Sequence, residues 1–241
     1  MDTQPLALVT GAAHRLGKAF VLALARNGYA ILLHYRTSDV QAQNTATQIR
    51  TLGVPVYLSQ ADLSLPSQIT SLFAFVDRIP HPLKVLVNSA AIIPAGDART
   101  VSAQDWDAVL NLNLRAPFLC AQEAAKRMTD GGLIVNVTDV GAHKTWSRYP
   151  AYSVSKAGLE ALTKILARTL APAIRVNAIA PGLVLQSDLI SADEWQRLVD
   201  RLPLKRAASA DEIGTALEFL LKNEYVTGET LVIDGGYSLL G

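Results

Sequence analysis

The chain has 241 residues, half of them hydrophobic, and 22 Lys and Arg against 21 Asp and Glu give a formal net charge of +1. That length permits one large α/β domain, and the apolar fraction supplies a substantial core. Near-neutral charge without basic clusters gives nucleic acid no electrostatic foothold, and no stretch is apolar for long enough to read as a membrane span.

In chain order, the first strand covers residues 6–10 and starts too early to leave room for a signal peptide. It runs straight into Thr10-Gly11-Ala12-Ala13-His14-Arg15-Leu16-Gly17. Two glycines six apart, between a strand and an amphipathic stretch, describe backbone built to approach a phosphate. Gly11 takes the tight turn, Gly17 lets the helix pack close, and the helix N-terminus offers free N–H groups to an anion. The plain alternative is an ordinary strand-to-helix turn, against which the position on the first strand argues. A helix follows from about 15 to 27, with Leu16, Phe20 and Leu24 on its apolar face, and Gly28 stops it.

The second strand, 29–34, ends where a dinucleotide fold places the adenosine ribose. An acidic residue there would accept the 2′-hydroxyl of NAD. This chain has His34, Tyr35, Arg36, Thr37 and Ser38, with no carboxylate before Asp39. Arg36 can pair with a 2′-phosphate, Thr37 or Ser38 can bond its oxygens, and Arg15 adds positive charge near the phosphates, so NADPH is expected over NADH. A solvated loop arginine is the commoner fate of such a residue.

Further strands are read at 55–59, 85–88, 133–138, 175–178 and 230–233, with helices near 40–52, 66–79, 103–129, 151–170 and 210–221. The one cysteine, Cys120, falls on the 103–129 helix as a small apolar residue; it excludes an internal disulfide and suits a reducing cytoplasm. His14, His34, His81 and His143 lack metal-ligand spacing, so no metal is expected. Seven apolar strands with intervening helices predict a single-domain α/β doubly wound Rossmann fold over 1–241, its seven-stranded parallel sheet covered on both faces. The least regular stretch, 182–203, lies past the sixth strand and reads as a substrate lid or a surface excursion.

Tyr152-Ser153-Val154-Ser155-Lys156 puts a phenol and an ammonium four apart on one helix face. A neighbouring lysine favours the phenolate, so the tyrosine is expected to pass protons near neutral pH while hydride moves, and Lys156 to reach the nicotinamide ribose. On its own such a pair is common and usually structural.

Taken together, the Thr10-to-Gly17 loop, Asp62-Leu63, Asn88-Ser-Ala-Ala91, Asn113, Tyr152 with Lys156, Asn177-Ala-Ile-Ala-Pro181-Gly182, and Val226-Thr-Gly with Ile233-Asp-Gly-Gly236 resemble the short-chain dehydrogenase/reductases over essentially the whole chain. The resemblance implies that Gly11, His14, Arg15, Leu16 and Gly17 cradle the cofactor phosphates. It implies that Asp62 and Leu63 border the adenine, that Asn88, Ser89 and Ala90 border its ribose, and that Asn113 holds a water of the proton relay. Thr138, Pro181, Gly182 and Leu183 then line the nicotinamide end, with Tyr152 and Lys156. Ser89 and Ala91 stand where the usual pattern has asparagine and glycine.

The family normally carries a serine thirteen residues before the tyrosine, where this chain has Asp139. Thr138 does not replace that hydroxyl, because side chains alternate along a strand. An ionised carboxylate would repel an oxygen gaining charge, whereas a carboxylic acid can protonate a ring nitrogen as hydride reaches the adjacent carbon. Burial beside Tyr152 is expected to raise the Asp139 pKa toward neutrality. With Arg15 and the His-Tyr-basic segment, Asp139 makes the chain similar to the pteridine and dihydrofolate reductases of the family. That resemblance implies NADPH-dependent hydride transfer to a pterin or dihydrofolate, with Arg15 touching both cofactor and heterocycle. Where those enzymes stack the pterin on a phenylalanine, this chain has Ile92-Ile93-Pro94, so Ile92 supplies apolar contact and Trp146 and Tyr149 are candidate replacement walls. Leu183 completes the expected substrate contacts. The alternatives are a carbonyl reductase or alcohol dehydrogenase of acyl, sugar or steroid substrates, and a non-catalytic nucleotide sensor. Family resemblance also implies a homotetramer, or failing that a homodimer, through the 103–129 and 151–170 helices, with Ala157, Gly158, Ala161, Leu162 and Ile165 as the close helix face.

Overall fold

The computed structural model describes residues 4–144, 146–187 and 190–240. Seven strands form one parallel sheet: β1 (Leu6–Val9), β2 (Ala30–Tyr35), β3 (Val56–Gln60), β4 (Leu83–Asn88), β5 (Gly132–Val137), β6 (Ile174–Pro181) and β7 (Thr230–Ile233). Their order is β3-β2-β1-β4-β5-β6-β7, so the direction in which strands are added reverses between β1 and β4 and opens a crevice at the carboxyl ends. The expected doubly wound α/β architecture is present.

Alternation along the strands builds two cores. In β1, Leu6 and Leu8 face one layer while Ala7 and Val9 face the other. The first layer receives α3 (Pro66–Val76), α5 (Ala116–Ala125) and α6 (Pro150–Leu170); the second receives α1 (Arg15–Arg26), α2 (Asp39–Arg50) and α8 (Ala210–Lys222). Both faces being covered, the strands read as nearly unbroken apolar runs. No described helix is long and apolar enough to cross a membrane.

Two regions differ from the sequence expectation. The single helix expected at 103–129 is α4 (Ala103–Leu110), a π-helical turn (Asn111–Arg115) and α5. Pro117 starts α5 without an N–H to give, and the Asn113 side chain bonds elsewhere instead of letting an ideal helix run on. The supposedly irregular stretch 182–203 contains a ten-residue helix, α7 (Ala192–Arg201). Ser191 caps it by accepting the Glu194 N–H, and Trp195, Leu198, Val199 and Leu202 recur at helical spacing. Asp188 and Leu189 of the lid reading, and Thr145, lie outside the described residues.

Candidate active site

A cavity of about 1100 Å³ runs along the crevice. Its wall comes from the residues following six strands: Gly11 to Gly17 after β1, His34 to Ser38 at the end of β2, Ala61 and Leu63, Ser89 to Ile93, Val137 to Asp139, and Pro181 to Leu185. Nearly all the sequence-predicted residues meet here, although they span the whole chain.

The glycine loop is shaped by close approach. Gly11 has φ +64°, and a β-carbon there would lie 2.8 Å from Ala90 Cα. One at Gly17 would lie 2.2 Å from the Gly11 carbonyl oxygen, so the first turn of α1 rests directly on the loop. That turn has no acidic residue to occupy its N–H groups. Arg15 sits at φ 52°, uncommon for a residue with a side chain, and its guanidinium donates to the Leu185 and Gln186 carbonyls at 2.9 and 3.1 Å. The glycine loop is thereby tied to the segment beyond β6. On the other side, Thr10 Oγ1 accepts the Ser89 and Ala90 N–H groups at 3.0 and 3.1 Å, holding the segment after β4 against the loop.

At the end of β2 the residues divide. His34, expected among the cofactor-binding residues, is buried inside the strand layer. Its Nδ1 accepts the Gly11 N–H at 3.1 Å and its Nε2 donates to Ala61 O at 3.0 Å, a tautomer assigned from these partners. Burial pushes its pKa down to about 4, so it is a neutral cross-tie beneath the loop and not a cation. The Tyr35 hydroxyl donates to Asp39 Oδ1 at 2.7 Å, which occupies the nearest carboxylate. Arg36, Thr37 and Ser38 line the cavity, and Ser38 spends no side-chain bond on capping α2. Arg36 lies 3.9 Å from Asp62 Oδ2, a loose and half-exposed contact that an anion can outcompete. Asp62 is otherwise engaged by the hydroxyl and N–H of Ser64, which hold its carboxyl below the usual range.

At the far end, Asp139 follows β5. Its Oδ2 accepts the Tyr152 hydroxyl at 2.8 Å and its Oδ1 the Gly141 N–H at 2.7 Å. Burial raises the Asp139 pKa, opposed by those two bonds and by Lys156. Tyr152 is pushed well above 10 by burial and by the Asp139 carboxylate. This reverses the expectation that Lys156 brings the phenol toward neutrality, because the carboxylate lies closer to the hydroxyl than any cation does. Lys156 itself is fully buried, donates to Val137 O at 2.7 Å, and is lowered to about 8. Thr138 points away, its Oγ1 donating to Ile179 O at 3.3 Å. The Asn113 side chain bonds the backbone of Ile92 in both directions, at 3.0 and 2.9 Å, and donates to Ser155 Oγ at 3.2 Å. It therefore fixes the apolar wall at Ile92.

Trp146 and Tyr149 do face the cavity, their rings 6.2 Å apart at 66°. The sequence reading missed Tyr237 from the C-terminal turn and Glu194, Trp195 and Leu198 from α7, which line the same space. The helical spacing of 195, 198, 199 and 202 was the available signal for α7; nothing local signals the return of Tyr237. At Gly182 a β-carbon would lie 2.7 Å from Asp234 Cα, so the wall after β6 is pressed against the end of β7.

A family model described as enoyl-(acyl carrier protein) reductase matches residues 11–238. Among curated proteins, the uncharacterized oxidoreductase YgfF of Escherichia coli is 34% identical over 96% of this chain and 99% of its own. The 3-oxoacyl-[acyl-carrier-protein] reductase FabG of Staphylococcus epidermidis is 32% identical over 95% of this chain and 97% of its own. Among solved structures, FolM alternative dihydrofolate reductase 1 from Brucella canis, complexed with NADP, superposes with a TM-score of 0.94 at 32% identity, covering 100% of this chain and 96% of that one. With a family model spanning residues 11–238 and relatives 32–34% identical over nearly the whole chain, the chain belongs to the short-chain dehydrogenase/reductase family of oxidoreductases.

Proposed function

We propose that this protein is an NADPH-dependent reductase of a pteridine-type heterocycle, a dihydropterin or dihydrofolate. The cofactor fits what is present: a glycine cradle that a single β-carbon would fill, a cavity long enough to join it to Asp139, and Arg36, Thr37 and Ser38 where a 2′-phosphate would lie. When bound, NADPH supplies the hydride. Gly11 to Gly17 hold its phosphates, Lys156 and Tyr152 meet its nicotinamide ribose, and Pro181, Gly182 and Leu183 wall that end.

One observation carries the substrate reading: a partly buried carboxyl group, Asp139, shares a hydrogen bond of 2.8 Å with Tyr152 at the catalytic centre. A neutral ketone gains negative charge on oxygen during reduction, and an ionised carboxylate beside it opposes that change. A ring nitrogen next to the carbon that accepts hydride takes up a proton instead, which a carboxyl group with a raised pKa can donate. Tyr152 remains a phenol and relays that proton, while the Lys156 ammonium balances the charge left behind. Ile92, Trp146, Tyr149 and Leu183 provide flat apolar walls, and Arg15 reaches both cofactor and heterocycle.

The carbonyl-reductase reading draws on the FabG relative, but Thr138 donates to Ile179 O and leaves no hydroxyl where that chemistry needs one. Cytoplasmic action and a homotetramer, with a homodimer as the smaller form, belong to the same proposal. The exposed apolar residues Val154, Ala157, Ala161 and Ile165 on α6 support it, whereas Gly158 is already covered by Leu114 of the same chain. The test is NADPH oxidation with dihydrobiopterin, dihydrofolate and a panel of ketones, with Asp139→Ser in parallel. Turnover of the pterins that disappears in the variant supports the proposal. Turnover of ketones alone, kept or improved in Asp139→Ser, refutes it.

A further inference from the structure

The two oxygens of Asp139 have different partners. Oδ1 accepts the N–H of Gly141, in the 3-10 turn Val140–Ala142, while Oδ2 accepts the Tyr152 hydroxyl. Gly141 is not among the residues of positive φ, so its backbone angle does not call for glycine. Space does: a β-carbon at 141 would lie 2.8 Å from Cε3 and Cζ3 of Trp146 and 3.1 Å from Asp139 Oδ1. The indole therefore lies against the residue whose N–H holds the carboxyl group.

Trp146 is itself backed by the C-terminal turn, Tyr237–Leu239. The Tyr237 ring lies 6.3 Å from the indole, tilted 44° to it. Lys144, two residues before Trp146, donates to the Tyr237 carbonyl at 3.1 Å and to the Leu240 carbonyl, and its ammonium sits 4.9 Å from the Tyr237 ring centre. The end of the chain is thereby fastened onto the loop that carries the acid.

We propose that Trp146, backed by Tyr237, is a positioning residue that makes Asp139 a directional acid: it keeps the Gly141 N–H on Oδ1, so the transferable proton resides on Oδ2, beside Tyr152. The inference rests on the reading of Asp139 as proton donor. A protonated carboxyl group has one carbonyl-like oxygen and one hydroxyl oxygen, and the former is the better acceptor of an N–H. Committing Oδ1 to Gly141, whose N–H can only donate, thus selects Oδ2 for the proton, and the Tyr152 hydroxyl, which donates to Oδ2 of the carboxylate, turns to accept from the protonated form. The groups facing Asp139 are Tyr152 and Lys156 from α6, Tyr237 from the C-terminal turn, and the Gly141 N–H of its own loop. Burial raises its pKa and the Gly141 bond lowers it, so loosening that bond moves the titration upward and spreads the proton over both oxygens.

The experiment follows the Asp139 carboxyl resonance by carbon-13 NMR in the cofactor-free protein, the signal being assigned by its disappearance in Asp139→Asn. Wild type, Trp146→Ala, Gly141→Ala and Trp146→Phe are titrated, and the pH profile of kcat with dihydrobiopterin is measured beside them. Both alanine variants are expected to titrate about one pH unit higher and to lose about tenfold in kcat, at unchanged KM for NADPH, while in Trp146→Phe, whose ring still packs against Gly141, the Asp139 titration stays near that of the wild type. Removing a mere wall of the cavity would raise the KM for the heterocycle and leave the titration in place. An unmoved titration in both alanine variants overturns the inference. Failure of the wild type to reduce dihydrobiopterin overturns the functional reading instead, and the titration still decides the role of Trp146.

Discussion

The phosphate loop hangs on one buried histidine, and acid should release it. His34 is 2% exposed, takes the Gly11 N–H on Nδ1 and gives its own Nε2–H to Ala61 O. Protonating Nδ1 would turn two donors toward each other and free the loop. Burial lowers the His34 pKa from 6.5 to about 4, so between those values the unfolded chain binds a proton that the folded one refuses. The stabilising contribution is complete above pH 6.5 and drains away as pH falls toward 4. At about 1.4 kcal/mol per unit it amounts to about 3 kcal/mol. His34→Leu removes the titration but strands the Gly11 N–H and the Ala61 carbonyl, each costing about 1–3 kcal/mol. The variant should therefore be less stable than wild type by about 2–5 kcal/mol at pH 7, and that gap should close by about 2–3 kcal/mol by pH 4.5. Urea unfolding of both proteins at pH 7, 5.5 and 4.5 reads the gap directly, since the remaining carboxylates are common to both. Parallel curves across that range would refute the assignment of His34 as a neutral cross-tie. NADPH affinity should follow the same limb, weakening in acid for wild type and being weak at every pH in His34→Leu.

Lys156 carries the opposite liability: lowered from 10.5 to about 8, it costs the fold about 3 kcal/mol while charged, fully below pH 8 and less as pH rises toward 10.5. Lys156→Met should lose activity yet gain on wild type at pH 7, by about 1 kcal/mol once the stranded Val137 carbonyl is counted, and the difference should move about 2 kcal/mol against the variant by pH 9.5, reversing its sign in urea titrations. Arg36→Leu should cut kcat/KM for NADPH by about ten- to a hundredfold and leave NADH nearly untouched; an equal loss with both would mean that Arg36 does not read the 2′-phosphate. Gly11→Ala combines a left-handed backbone with a β-carbon 2.8 Å from Ala90 Cα, so unfolding measurements should find it about 2–4 kcal/mol less stable, with weakened cofactor binding.

The sheet was legible because strands buried on both faces must be apolar throughout: Leu6–Val9 and Ala30–Leu33 are fully buried, and no helix-length pattern competes with them. Breaks within helices were not. The apolar period runs through 103–129 past Pro117, the one local sign of a break, and the π-helical turn before it carries Asn113, whose side chain bonds the Ile92 backbone 21 residues away in sequence. In α7 most positions are polar and the sparse apolar ones were overlooked among loop-like residues. Tyr237 reaches the cavity only because β7 ends beside Gly182 and the chain folds back over Trp146. That His34 ties the Gly11 loop to Ala61 was not legible, because strand position alone does not reveal which ring nitrogen meets which backbone group.

The proton chemistry separates the same way. Residue types at 139, 152 and 156 disclose that a carboxyl group has joined the tyrosine–lysine pair, and spacing places them together. The sign of the tyrosine shift depends first on burial and then on distance: a carboxylate oxygen at 2.8 Å adds to the rise, while the ammonium's closest bond, at 2.7 Å, goes to Val137 O. Where a serine hydroxyl leaves the phenol to the influence of the lysine, an aspartate holds the phenol protonated and takes over as the group whose charge changes. Hence the replacement does more than alter one partner of the relay. Under the proposed function it moves the acid from Tyr152 to Asp139, and with it the kind of atom, nitrogen in place of oxygen, that the site would protonate.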